Sequence, residues 1–123
     1  MLEGDLFIEL QHLQEKQDSL YEEWEKRVLN TAEAERKYQT LMRKRALLEK
    51  ESGTPITFIS AFIRGDDDIA ELRQERDICE ALEKITENKI VDIRKRIQIT
   101  ESQINREWAR RDDSVPVPPA WSE

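Results

Sequence analysis

Apolar residues recur at alternating steps of four and three from near the start of the chain: Leu6, Leu10, Leu13, then Leu20 and Trp24, and later Ala34, Tyr38, Leu41 and Leu48. Neither glycine nor proline interrupts the stretch from Asp5 to Glu51. The pattern therefore predicts one long amphipathic helix over 5–51. Gln17, Arg27, Thr31 and Arg45 fall on the same heptad positions as the apolar residues. Polar residues in such a seam lower stability while fixing register or the number of chains, so they read as specificity devices.

A second long pattern covers 67–111, with Ile69, Leu72, Cys79, Leu82, Ile90, Ile93, Ile97, Ile104 and Trp108. Leu82, Ile93 and Ile104 recur every eleven residues, as do Thr86, Ile97 and Trp108, a spacing that predicts a nearly straight helix. Asp66, Asp67 and Asp68 stand where carboxylates can cap free backbone N–H groups and meet the positive end of the helix dipole. Ile78, Ile85, Val91 and Ile99 lie off the seam and are candidate contact positions.

Between the two patterns lies the least polar stretch, GTPITFISAFIRG, residues 53–65. Thr54 before Pro55 predicts an N-cap with proline at the first helical position, and Gly65 predicts a left-handed stop, giving a short helix over 55–64. Its apolar residues Ile56, Phe58, Ile59, Phe62 and Ile63 surround most of its circumference. One bend has little surface with which to cover them. They are the primary candidate partner-binding residues. The final stretch, 112–123, contains Pro116, Pro118 and Pro119, which predict an extended tail, and Trp121, which joins the candidate partner contacts.

Charge adds direction. Residues 1–25 hold eight acids and one base, Lys16; residues 26–50 hold eight bases and three acids; residues 66–91 are acidic by nine to four and residues 92–111 basic by six to three. Folding back at the bend sets opposite blocks side by side, so the blocks predict an antiparallel helical hairpin over 1–111, all-α, of the coiled-coil kind. In that pairing the basic triplet Arg43, Lys44, Arg45 is expected opposite Glu71 and Glu75. The triplet Arg94, Lys95, Arg96 is expected opposite Glu22, Glu23 and Glu25. Each exposed pair is worth only a few tenths of a kcal/mol, so the blocks choose register more than they add stability.

The chain has 123 residues, 38% of them charged, and a net charge of −7, which fits elongated helices and argues against general phosphate-backbone binding. Three Gly and four Pro leave too few turns for a sandwich or barrel. Cys79 is the only cysteine, so no intrachain disulfide forms, and no apolar run reaches the roughly 20 residues of a membrane span. The expected setting is cytoplasmic, away from membranes. No catalytic residue, cofactor or metal is predicted: His12 is the sole histidine and reads as exposed, Cys79 as a small buried residue, and the three aspartates as a cap in preference to a Mg²⁺ site.

The segments LYEEWEKR (20–27), AERKYQ (34–39), the Gly-Thr pair at 53–54 and RIQITESQINREW (96–108) resemble the small helical-hairpin accessory proteins of phages and prophages. The apolar insert PITFISAFIRGDDD departs from that pattern. The resemblance implies a non-enzymatic interaction protein acting in the host cytoplasm. It would bind a host or phage protein, for example as an anti-CRISPR-like inhibitor of a host defence or DNA-processing complex. One alternative is a nucleic-acid or nucleoprotein-binding accessory to recombination and single-strand annealing, with Arg43, Lys44, Arg45, Arg94, Lys95 and Arg96 as contacts. The other is a structural coiled-coil homo-oligomer.

Overall fold

The computed structural model describes the backbone of residues 3–114 and the side chains of residues 4–110. Three helices account for nearly all of it: α1 (Glu3–Glu51), α2 (Ile56–Arg64) and α3 (Asp67–Ser114). No strand occurs among the described residues. The two long helices and the short apolar one between them lie where the hydrophobic pattern puts them. Trp121 and the proline tail lie outside the described residues.

Contacts divide the helices into two units. One combines α1 up to Leu20 with α3 from Lys89 onward, and its buried side chains are Leu6, Leu20, Ile90, Ile93, Ile97, Thr100 and Ile104. The other runs from Tyr21 to Asn88 and buries Ala34, Tyr38, Ile69 and Thr86. Buried and half-buried positions of α1 keep the 4-3 spacing throughout, and Gln17, Arg27, Thr31 and Arg45 are half-buried on that face as expected.

α3 departs from expectation here. Its enclosed positions 86, 90, 93, 97, 100 and 104 follow heptad spacing, which contains the expected eleven-residue steps 86 to 97 and 93 to 104, but Leu82 is only half-buried and Trp108 is 46% exposed. The reason is that Thr86 and Thr100 act as apolar seam residues. The Thr86 hydroxyl donates to the Leu82 carbonyl one turn earlier (3.0 Å), so its methyl group is buried with no polar atom left over.

Within the Tyr21–Asn88 unit, rising numbers along α1 meet falling numbers along α3. The Trp24 indole N–H donates to Glu87 Oε1 (3.4 Å), Arg76 bridges to Glu35 (3.4 Å), and Arg73 Nε donates to the Tyr38 hydroxyl (3.4 Å). Arg45 spans Asp66 (2.9 Å) and Asp68 (3.0 Å). This register replaces the expected pairing of the first basic triplet with Glu71 and Glu75. Arg45 meets the first residues of the acidic run itself, so residues 46–51 of α1 extend past the start of α3. Leu48, assigned to the seam from its spacing, is consequently exposed.

The charge blocks are realised at Arg45 and inverted at Glu35 and Arg76, where the minority charge of each block finds the other. Asp77 foremost, then Glu35, holds the Arg76 guanidinium above its ordinary value against the opposing effect of burial. Other bridges stay on one helix, such as Arg27 to Glu23 and Arg36 to Glu33. The Arg36 hydrogen bond lowers the Glu33 pKa below its usual 4.5. That contribution is present above the unfolded value and is lost as pH falls through the lowered one.

The left-handed stop expected at Gly65 occurs at Gly53 instead. Gly53 has φ +80°, Gly53 N–H donates to Lys50 O (3.1 Å) and Thr54 N–H to Glu49 O (3.0 Å). These are the paired bonds of a Schellman stop for α1. Thr54 therefore does not cap α2: its hydroxyl is bonded to the Glu49 carboxylate (2.8 Å), and Pro55 is the N-cap, with no side-chain bond. Gly65 is right-handed (φ −85°, ψ −4°), because a single residue, Asp66, separates it from the next helix. Gly53→Ala should destabilise by about 1 kcal/mol, the cost of a left-handed alanine. Gly65→Ala meets only ordinary contact with Ala61 O (3.5 Å) and should be neutral or stabilising by about 0.5 kcal/mol. Thermal melts of the two variants separate these outcomes.

Asp66 caps α3 as expected, with Oδ1 accepting from Asp68 N–H (2.9 Å) and Ile69 N–H (3.1 Å). Its other oxygen holds Arg45, so one side chain both starts α3 and ties it to α1.

Candidate protein-interaction surface

α2 is helical because Pro55 presets the entry (φ −57°), Phe58 N–H closes the first turn on Pro55 O (2.9 Å), and five of its nine residues are large apolars. At its end Gly65 N–H donates to Ala61 O (3.0 Å) and Asp66 N–H to Ile63 O (3.2 Å). The helix sits between a Schellman stop and a capped start, so its own backbone ends are largely satisfied. Its side chains are not comparably covered.

None of the nine residues is buried. Ile59 and Ile63, four apart, are half-buried on one side. Phe58 and Phe62, also four apart, are 57% and 56% exposed, and Ile56 is 80% exposed. Leu47 and Leu48, in the part of α1 that runs past the start of α3, are exposed as well. The only charge on α2 is Arg64; Glu49, Lys50 and Glu51 precede the helix and Asp66, Asp67 and Asp68 follow it. An apolar surface rimmed by polar groups is the composition of a protein contact. The five apolar candidates thus share one short helix. Leu47 and Leu48 were not among them, because the overhang of α1 is invisible in a periodic pattern.

The two basic triplets are not brought together as units. Arg43 and Lys44 are exposed while Arg45 is held by Asp66 and Asp68. Arg96 lines a groove with Lys16, and Lys95 lines a different opening with Ile99 and Arg106. Within its own unit Arg96 shares its groove with Lys16, while Glu23 is bridged to Arg27 on its own helix. Neighbouring residues on a helix point about 100° apart, which disperses any triplet.

His12 is exposed on α1, and Cys79 is half-buried, not enclosed, beside Glu75 and Ile78. Among the described residues no group of three or more His, Cys, Asp or Glu is placed to hold a metal, and the oxygens of Asp66 are already engaged by Arg45 and backbone N–H groups. No described helix is long and apolar enough to cross a membrane. Ile78, Ile85, Val91 and Ile99 are exposed, as their off-seam positions require.

No protein-family model matches the chain, and no curated protein or solved structure matches it either.

Proposed function

We propose that the chain is a non-catalytic protein-interaction module. In this reading its two long helices fold back antiparallel as a hairpin, and α2 is carried at the bend as the contact element. The carrying observation is that a nine-residue helix rich in isoleucine and phenylalanine buries none of its residues. Ordering and solvating such a surface is unfavourable unless something covers it. The falling-against-rising register of Arg45 with Asp66, Glu35 with Arg76 and Trp24 with Glu87 supports the hairpin.

The partner is a protein: apolar side chains offer nothing to a phosphate backbone, and the carboxylates around the bend repel one. A host or phage protein, inhibited by the contact, is the form that the phage-type resemblance implies. The nucleic-acid reading has less to stand on, since Arg45 is already committed to two aspartates.

Phe58→Ser with Phe62→Ser tests the reading. Both side chains are exposed, so the helical circular dichroism should be unchanged. Recovery of the partner by affinity capture from a bacterial lysate should fall at least about tenfold, the loss expected for two aromatic anchors. Unchanged capture by a fully helical variant would remove α2 from the contact.

A further inference from the structure

In the unit that combines α1 up to Leu20 with α3 from Lys89, a groove of about 250 Å³ is lined by Lys16, Leu20, Lys89, Asp92, Ile93 and Arg96. Leu20 and Ile93 are buried and form its apolar floor, while the four charged side chains are exposed around it. Three cations face one carboxylate. Among the described residues none of these cations is held in an ion pair.

The arrangement runs against its surroundings. The chain carries a net −7, and Lys16 is the only base among its first 25 residues, eight of which are acids. Flanking positions beside a helix–helix seam ordinarily carry opposite charges, and like charges there repel. An acid at position 16 would be the favourable choice beside Lys89 and Arg96. Asp92 is the one opposite charge in the groove and forms no ion pair with Lys16, so the surplus of cations departs from the local charge rule in the way functional sites do.

We propose that this groove binds a small dianion of the phosphate-monoester class. Lys16, Lys89 and Arg96 would neutralise its oxygens, Asp92 would accept a hydrogen bond from a donor on the ligand, and an apolar body would rest on Leu20 and Ile93. Two formal positive charges in surplus match a dianion. The acidic chain as a whole repels long polyanions, which selects a small ligand over a nucleic-acid backbone. The site is separate from α2 and does not depend on the role proposed for that helix.

A second groove supplies the control. Arg36, Lys37, Thr40, Leu41, Lys44 and Leu72 line a space of similar size, about 260 Å³. Its Arg36 is bound to Glu33, and its remaining cations both come from α1, within a block already basic by composition.

The test is titration of the full chain with phenyl phosphate and, separately, inorganic phosphate, followed by methyl NMR at Leu20 and Ile93. Saturable shifts are expected, with phenyl phosphate binding more tightly because it uses the apolar floor. Arg96→Gln should weaken binding about tenfold, the usual loss for a charge-assisted hydrogen bond. Lys37→Gln with Lys44→Gln should change it less than about twofold, since additional cations outside the site act only through screened charge.

Lys16→Glu gives an independent readout. It should abolish binding and raise the melting temperature by about 1–2 °C, by replacing a repulsion with an attraction. The proposal is overturned by unsaturable shifts, by equal loss in the Lys37 and Lys44 variant, or by a lower melting temperature in Lys16→Glu. Tighter binding of a single-stranded oligonucleotide than of phenyl phosphate would also overturn it and assign the groove to nucleic acid.

Discussion

Ile69→Ala is expected to lower the unfolding free energy by about 3 kcal/mol, within the range for removing three buried carbons from a side chain that cannot be fully replaced by collapse. Ile69 is the most enclosed large side chain described, with 0% exposure. It occupies the third position of α3, its own N–H bonds the capping Asp66, and Asp66 in turn holds Arg45. The apolar core, the start of α3 and the tie to α1 therefore meet within four residues. A cavity at Ile69 loosens all three. Urea unfolding followed at 222 nm gives the change from the shift in midpoint. Ile85→Ala, at an exposed position of the same helix, should stay within about 0.5 kcal/mol of the parent. Equal effects at the two sites would mean that the seam does not enclose Ile69.

Tyr38→Ala should be nearly as costly, again about 3 kcal/mol. Tyr38 is buried on α1, with the Arg76 guanidinium 4.6 Å and the Arg73 guanidinium 5.7 Å from its ring centre. The ring both fills the seam and offers its negative face to two cations brought in from α3. Its hydroxyl does less, because the bond from Arg73 is long at 3.4 Å. Tyr38→Phe keeps the ring and should cost under about 1 kcal/mol. If Tyr38→Phe proved as damaging as Tyr38→Ala, the hydroxyl and not the aromatic face would be the support for the two arginines.

The long helices were legible in the sequence because their information is periodic. The 4-3 spacing from Leu6 to Leu41 marks one face, and the polar Gln17, Arg27, Thr31 and Arg45 fall on it in the structure as they do in the pattern. α2 was legible for another reason: proline and glycine punctuate a run of apolar residues. What periodicity does not carry is the offset of one helix against another. The charge blocks supported any register within several residues, and the capping carboxylate of Asp66, by reaching Arg45, selects one of them.

That offset exposes Leu47 and Leu48 and places Leu72 beside Lys37 and Leu41. The left-handed stop at Gly53 has a similarly local cause. Gly53 and Gly65 both follow a helix end, but only Gly53 has room after it for a left-handed turn. Thr86 is enclosed because a threonine whose hydroxyl returns to its own helix behaves as a valine, which no polarity scale records; the buried Thr100 had no place in the apolar pattern. The candidate surface on α2 followed from composition, with the exposure of Phe58 and Phe62 adding which side of the helix is open.

The claim that α2 is the contact element is tested most directly by site-specific photocrosslinking from α2 in living bacteria. A photoreactive phenylalanine analogue replaces Phe58 or Phe62 in one pair of variants and exposed His12 in a control. The account predicts a discrete protein adduct from positions 58 and 62 and none from position 12. Adducts from position 12 alone, or none from α2 while the partner still co-purifies, would contradict it.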